Sequence, residues 1–230
     1  MALNKPGPFL SFNGGYVDTL GFLLFNGLFT AHVTGNFVTI GAALAYGSSG
    51  IITKLLALPV FCLVIVIIRL AGKILTPQCW HELRLLLWTM LILLTLAAIM
   101  VCAFGPFRDA DAPAAMFSGL VLVAAMAIQN AVHRGYLTKE APGTLMTGTT
   151  TQIMLDLADL VTGRKYEARM ALYNRLKTLG TSLVFFTFGC AVAALAFILT
   201  GKWGALLPPV MVFFSWIATE NELKEGFNNK

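Results

Sequence analysis

The chain has 230 residues, 57% of them hydrophobic and 12% charged, with a mean hydropathy of +0.78. Globular domains carry roughly 25% charged residues, so this composition excludes an ordinary soluble domain and points to an integral membrane protein. The net charge of +5 comes from Lys and Arg clustered between apolar runs, which assigns them to topology and anionic lipid headgroups rather than to nucleic acid.

Backbone groups in lipid must pair internally, so the apolar runs are expected to be helices. The N-terminal Met-Ala-Leu-Asn-Lys-Pro-Gly-Pro leads into no small-residue cleavage site, so no cleaved signal peptide is expected. The first segment, 8–30, is interrupted by Asn13-Gly14-Gly15, carries Asp18 and ends near Asn26-Gly27. It reads as a broken or tilted helix lined with polar groups. A short segment, 33–46, follows. At 1.5 Å per residue it reaches only ~21 Å, against ~30 Å of hydrocarbon. A Gly-Ser-Ser-Gly turn (47–50) precedes a long span, 51–75, with Pro59 as a kink. An unbroken span, 85–104, and a Gly/Pro hinge, 105–113, complete the first half.

The fifth segment, 114–132, ends in the polar pair Gln129-Asn130. A loop, 134–142, leads to a second short segment, 143–161, rich in Thr and carrying Asp156 and Asp159. The stretch 163–177 reads as a basic loop. Spans are expected at 178–199 and at 203–219, the latter with Pro208-Pro209 inside, before a polar, frayed tail. Trp80, Trp88, Trp203 and Trp216 fall near span ends and fit interfacial anchoring. The cysteines (Cys62, Cys79, Cys102, Cys190) lack metal or redox spacing and read as small packing residues.

The two short segments look like copies. At a shift of 113 residues Thr34, Gly35, Ile40 and Leu44 match Thr147, Gly148, Ile153 and Leu157. Charge placement tests whether they cross. If all eight segments cross with the N-terminus inside, Arg69, Lys73, Arg84, Arg134, Lys139 and Lys202 fall outside. If the short segments re-enter, only Lys54, Arg108 and Lys202 do, which suits the positive-inside rule better. The expectation is one all-α membrane domain over 1–230. It has six transmembrane helices, two short re-entrant or broken helices, and both termini cytoplasmic. An inverted 3+3 repeat (8–104 and 114–219) brings the two Thr-Gly turns together near the midplane.

Gly15-Tyr16-Val17-Asp18, then Phe29-Thr30-Ala31-His32-Val33-Thr34-Gly35-Asn36, resembles the YoaK-like family of bacterial inner-membrane proteins. Gln129-Asn130-Ala131 and Thr147-Gly148-Thr149-Thr150 fit the family's second-half pattern. The resemblance covers almost the whole chain. It implies a six-span protein of the bacterial inner membrane and implies no substrate. His32 stands where the family pattern has a variable, often uncharged residue, and carries no weight in the resemblance.

The chemistry expected of these residues is solute binding by dipoles. Helix N-termini present unpaired N–H groups and partial positive charge. Thr34, Asn36, Thr147, Thr149 and Thr150 add hydroxyls and an amide, and Gly35 and Gly148 let backbone approach a ligand. The plainer reading is that the threonines cap half-helices and the glycines pack helices. Asp18, a charge within an apolar segment, marks an ion or proton path, or it holds the broken helix together by accepting hydrogen bonds. Its counterpart in the second half is Asn130, beside Gln129. Asp156 is expected to face the pathway and Asp159 to pair with Arg164 or Lys165. His133 and Arg134 read as interfacial. His32 reads as an exposed loop histidine or, less plainly, as a titrating gate. No catalytic, metal or cofactor motif is present.

The function expected is passage of a small polar or anionic solute or an ion, by a secondary transporter coupled through Asp18 and Asp156, or by a channel. The alternative is a non-transporting scaffold or sensor acting on a partner or on lipid through 163–177. Gly119, Gly189 and Ala193 are small residues suited to contacts in a homodimer.

Overall fold

The computed structural model describes residues 5–75, 79–138, 140–141, 143–144, 146–162 and 166–228, and no strand occurs among them. They form α1 (Pro6–Leu24), α2 (Asn36–Tyr46), α3 (Ile51–Leu75), α4 (Cys79–Phe104), α5 (Pro113–Gly135), α6 (Met146–Val161), α7 (Tyr166–Thr200) and α8 (Leu207–Asn228). Short 3-10 turns, Val33–Gly35 and Gly201–Leu206, lead into α2 and α8. Among the described residues, four stretches are long and apolar enough to cross a membrane: Ile51–Gly72, Glu82–Phe104, Pro113–Gly135 and Arg169–Asn221. The last contains both α7 and α8. α1 is not among them, because it carries Ser11, Asn13 and Asp18.

The helix bounds mostly follow the apolar runs. α3 spans the expected residues and keeps Pro59 inside. There the carbonyl of Leu55 loses its usual donor, which a membrane helix tolerates when neighbours compensate. Pro208 and Pro209 lie in the first turn of α8, where a missing N–H costs nothing. Three expectations fail. The basic stretch expected as a loop is helical from Tyr166, and the tail continues α8 to Asn228. The third concerns α1, which is one unbroken helix through Asn13-Gly14-Gly15.

Close packing explains that continuity. A Cβ on Gly15 would run into the backbone carbonyl of Phe186 on α7, and one on Gly189 would run into that of Phe12 on α1. A Cβ on Gly14 would lie 2.7 Å from the carbonyl oxygen of Gly143. Each helical glycine costs about 1 kcal/mol of propensity. In return the backbones of α1 and α7 approach closely, which is how apolar solvent allows helices to associate. Gly189, Gly119 and Ala193 are therefore committed to contacts within the chain: Gly119 lies against Leu28, and Ala193 is fully buried.

α1 packs on α7 and α8, while α5 packs on α3 and α4; α2 lies on α3 and α6 on α7. α4 and α8 close the arrangement. The contacts fix direction. α1 and α7 run parallel, since Ser11 meets Ser182 and Gly15 meets Cys190. α4 and α8 run antiparallel, with Trp88 on Trp216 at one end and Cys102 near Lys202 at the other. One end of the molecule gathers the pairs Lys5–Glu140, Arg84–Glu220 and Asp156–Arg175. The opposite end gathers Asn26–Ser49, Asp111–Thr53 and Lys202–Gly105.

The burial pattern departs from a soluble protein's in its apolar exterior and in the polar groups set into its apolar core. α3 and α7 turn Val66, Ile67, Leu70, Val184, Phe188 and Ile198 outward. Ser11, Asn13, Asp18, Gln129 and His133 lie inside, next to Leu10, Tyr16, Leu20, Phe25 and Met126. Such an exposed apolar area is stable in lipid and aggregates in water.

Candidate functional site: a polar seam between two hairpins

The first hairpin leaves α1 and returns to α3 at the same end. Asn26 and Gly27 take positive φ values of 49° and 87°, a conformation Asn and Gly tolerate best, and so end α1. Asn26 donates to Ser49 Oγ (2.8 Å), which ties the two feet. Asp111 caps the return. Its carboxylate accepts from Gly50 N–H (3.0 Å) and Thr53 N–H (2.9 Å), while Thr53 Oγ1 donates to the Ala110 carbonyl. Burial pushes the Asp111 carboxyl up, but these donors outweigh it and hold the group below its ordinary value.

The hairpin tip is tied to Asp18. Oδ1 accepts from the N–H groups of Thr30 (2.7 Å) and Ala31 (2.8 Å), and from Thr30 Oγ1 (3.3 Å). Oδ2 meets His32 Nδ1 at 2.6 Å. Asn36 fixes the rest of the tip, accepting from Phe29 N–H and donating to Phe29 carbonyl, both at 2.8 Å. His32 also lies edge-on to Phe186 of α7, with ring centroids 5.7 Å apart. Asp18 thus takes up N–H groups that the turn leaves unpaired.

The second hairpin, after α5, has a weaker anchor. Asn130 Oδ1 accepts from Thr144 Oγ1 (2.6 Å), and His133 Nδ1 accepts from Gly143 N–H (3.4 Å). Further along, the fully buried Asp156 is held by Arg175 (Nε to Oδ2, 2.6 Å) and Gln152 (2.7 Å).

Between the tips runs a polar seam. Asn13 Nδ2 donates to Gln129 Oε1, and Gln129 Nε2 donates to the Leu10 carbonyl, both at 2.9 Å. Ser11 and Ser182 hydroxyls lie 2.8 Å apart. Asn13 Oδ1 and His133 Nε2 are buried and have no hydrogen-bond partner among the described residues. At one end the seam meets a cavity of about 350 Å3 lined by Lys5, Ser11, Glu140, Asn174, Lys177, Thr181 and Ser182. At the other end it is closed: Phe25 stacks on Phe107, Leu28 fills the space over Gly119, and Tyr16 donates to the Gly204 carbonyl.

The expected site residues separate into two groups. Asp18, Asn36, Gln129, Thr149 and Asp156 are buried, and Asn130 is half-buried. Thr34, Thr147, Gly148 and Thr150 are exposed, and Gly35 lies against the Phe29 ring. Thr147-Gly148 sits inside the first turn of α6 rather than before it. Arg164 and Lys165, the expected partners of Asp159, lie outside the described residues, as does the side chain of Trp80. His133 is buried in the seam, not interfacial, because α5 turns it toward Gly143. Sequence reasoning also missed Ser11, Asn13 and Ser182, and it preferred an exposed loop to a gate for His32. The signal for His32 was Asp18 itself: a buried carboxylate calls for a cation or several donors within reach.

These features define an all-helical protein of membrane type, apolar outside and polar along its centre. Residues 7–218 match the family described as "Protein of unknown function (DUF1275)", and the chain belongs to that family, in agreement with the YoaK-like resemblance. No curated protein and no solved structure matches the chain.

Proposed function

We propose that the chain conducts a small polar solute along the α1 seam, as an inverted-repeat transporter or channel open toward the cytoplasm. The observation that carries this reading is the cavity of about 350 Å3 whose floor, Ser11 and Ser182, adjoins a seam holding two unpartnered buried polar atoms. Unpaired polar atoms in a membrane interior are costly and usually serve a solute or its path.

Three observations support the topology. Exchanging α1–α4 for α5–α8 preserves the packing: α1 on α7 corresponds to α5 on α3, and α1 on α8 to α5 on α4. Contact directions follow an up-down order in which each short helix returns to the end its loop left. Of the described cations, Lys5, Arg69, Arg84, Arg134, Arg169, Arg175 and Lys177 lie toward the cavity end, and Lys54, Arg108 and Lys202 toward the other. By the positive-inside rule that asymmetry supports a cytoplasmic cavity end. α1, though too polar to be stable facing lipid, crosses inside a sleeve of α5, α7 and α8.

In this reading the Asp18–His32 pair holds the outer hairpin shut, and the cytoplasmic mouth admits the solute. The test combines access and flux. With Cys62, Cys79, Cys102 and Cys190 replaced, Thr181→Cys and Thr138→Cys are expected to label with an impermeant thiol reagent from the cytoplasmic side, and Ser48→Cys from outside. Proteoliposomes should pass at least one solute of a panel of small anions, zwitterions and polyols, and Asn13→Leu should abolish that flux. Labelling of Thr181→Cys only from outside, or a folded protein passing nothing in the panel, refutes the reading. Loss of function on R169Q/K177Q with Asn13→Leu silent would favour a scaffold.

A further inference from the structure

The apolar stretches of α3, α4 and α5 end together, at Gly72, Glu82 and Gly135. Between those ends lies a groove of about 400 Å3, with Arg69, Glu82, Arg134 and Tyr136 on its polar side and Ile65 and Ile68 on its apolar side. Hydrocarbon gives way to headgroups where apolar stretches end. The groove therefore straddles that boundary.

Its charges are unevenly matched. Arg69 and Arg134 are exposed, and neither makes an ion pair among the described residues. Glu82, the carboxylate on the wall, accepts a hydrogen bond from Tyr136 Oη, and its other oxygen lies toward Gly72. Two guanidinium groups thus face the groove with one engaged carboxylate. Guanidinium forks bind phosphate oxygens in pairs. Below them Ile65 and Ile68 join the outward Val66, Ile67 and Leu70 in an apolar wall one to two turns deep.

We propose that this groove is a binding site for an anionic phospholipid. The phosphate lies between Arg69 and Arg134 and an acyl chain lies along Ile65 and Ile68. A free phosphate would leave the apolar half uncovered, and a zwitterionic lipid would bring a second cation to two arginines. The proposal rests on the level of the helix ends and is independent of whether a solute crosses.

Native mass spectrometry of the detergent-purified full chain tests it. Wild type is expected to retain phosphatidylglycerol and release phosphatidylcholine. Each arginine near an anionic surface contributes about 1 kcal/mol, so R69Q/R134Q should retain phosphatidylglycerol roughly thirtyfold more weakly. R69K/R134K should keep part of the binding, since charge remains and the fork is lost. If the double variant does not fold, R134Q alone is read in the same way. Equal retention of both lipids, wild-type retention by R69Q/R134Q, an equal loss in R169Q at an exposed site elsewhere, or displacement by millimolar inorganic phosphate overturns the proposal.

Discussion

The hairpin after α1 and the hairpin after α5 are held differently. At the tip of the first, the Asp18 carboxyl takes the backbone N–H groups of Thr30, Ala31 and His32, a hydroxyl and the His32 ring. At the tip of the second, a neutral Asn130 takes one hydroxyl. The first hairpin borders the closed end of the seam, and the second borders the cavity. A carboxylate that gathers several donors thus holds its hairpin more tightly than an amide that takes one.

The sharpest way to break that contrast is Asp18→Ala. It strands buried donors in an apolar setting and should cost about 3 kcal/mol of stability, read as a lowered denaturation midpoint in detergent. A loss under 1 kcal/mol would mean the tip is held by other contacts. Next comes the foot of the same hairpin. Asp111→Ala removes a cap over two N–H groups and should cost about 1.5 kcal/mol. Its folded carboxyl titrates below the ordinary value of about 3.9. The stabilisation is therefore complete above that pH and disappears as pH falls through the lower, folded value. Asp111→Asn should flatten this acid limb, and an unchanged limb would assign it to another group. The smallest effect belongs to the second tip, where Asn130→Ala should cost about 1 kcal/mol or less. If Asn130→Ala matches Asp18→Ala, the contrast between hairpins fails.

Much of the architecture was legible because apolar runs and their breaks are strong signals. Ile51–Leu75 and the short helix after Thr34-Gly35 emerged at the expected residues. The misreading of α1 has a specific cause. Asn13-Gly14-Gly15 has the composition of a break, but in sequence a glycine that ends a helix looks like one that admits a neighbour. Phe186 of α7, which decides between them, lies far along the chain. The site was half legible for a related reason. Polar residues inside apolar runs could be picked out singly, as Asp18, Gln129 and Asn130 were. Their partners His32, Asn13 and Thr144 read as loop, breaker and cap, because pairing between distant segments leaves no local pattern.

The burial of α1 also bears on how the protein is made. α1 precedes the other described helices in the chain, and its Ser11, Asn13 and Asp18 make it a poor helix to leave in lipid unaided. Its closest packing surface, on α7, is synthesised some 170 residues later, as the Ser11–Ser182 pair shows. Helix-by-helix release from the insertion machinery would leave Asn13 and Asp18 facing acyl chains in the interval. Shelter of these polar groups until α7 emerges, by the translocon or by an insertase, is the consequence expected of that order. Truncations ending before residue 180 are expected to be degraded faster than the full chain, which pulse-chase labelling would read.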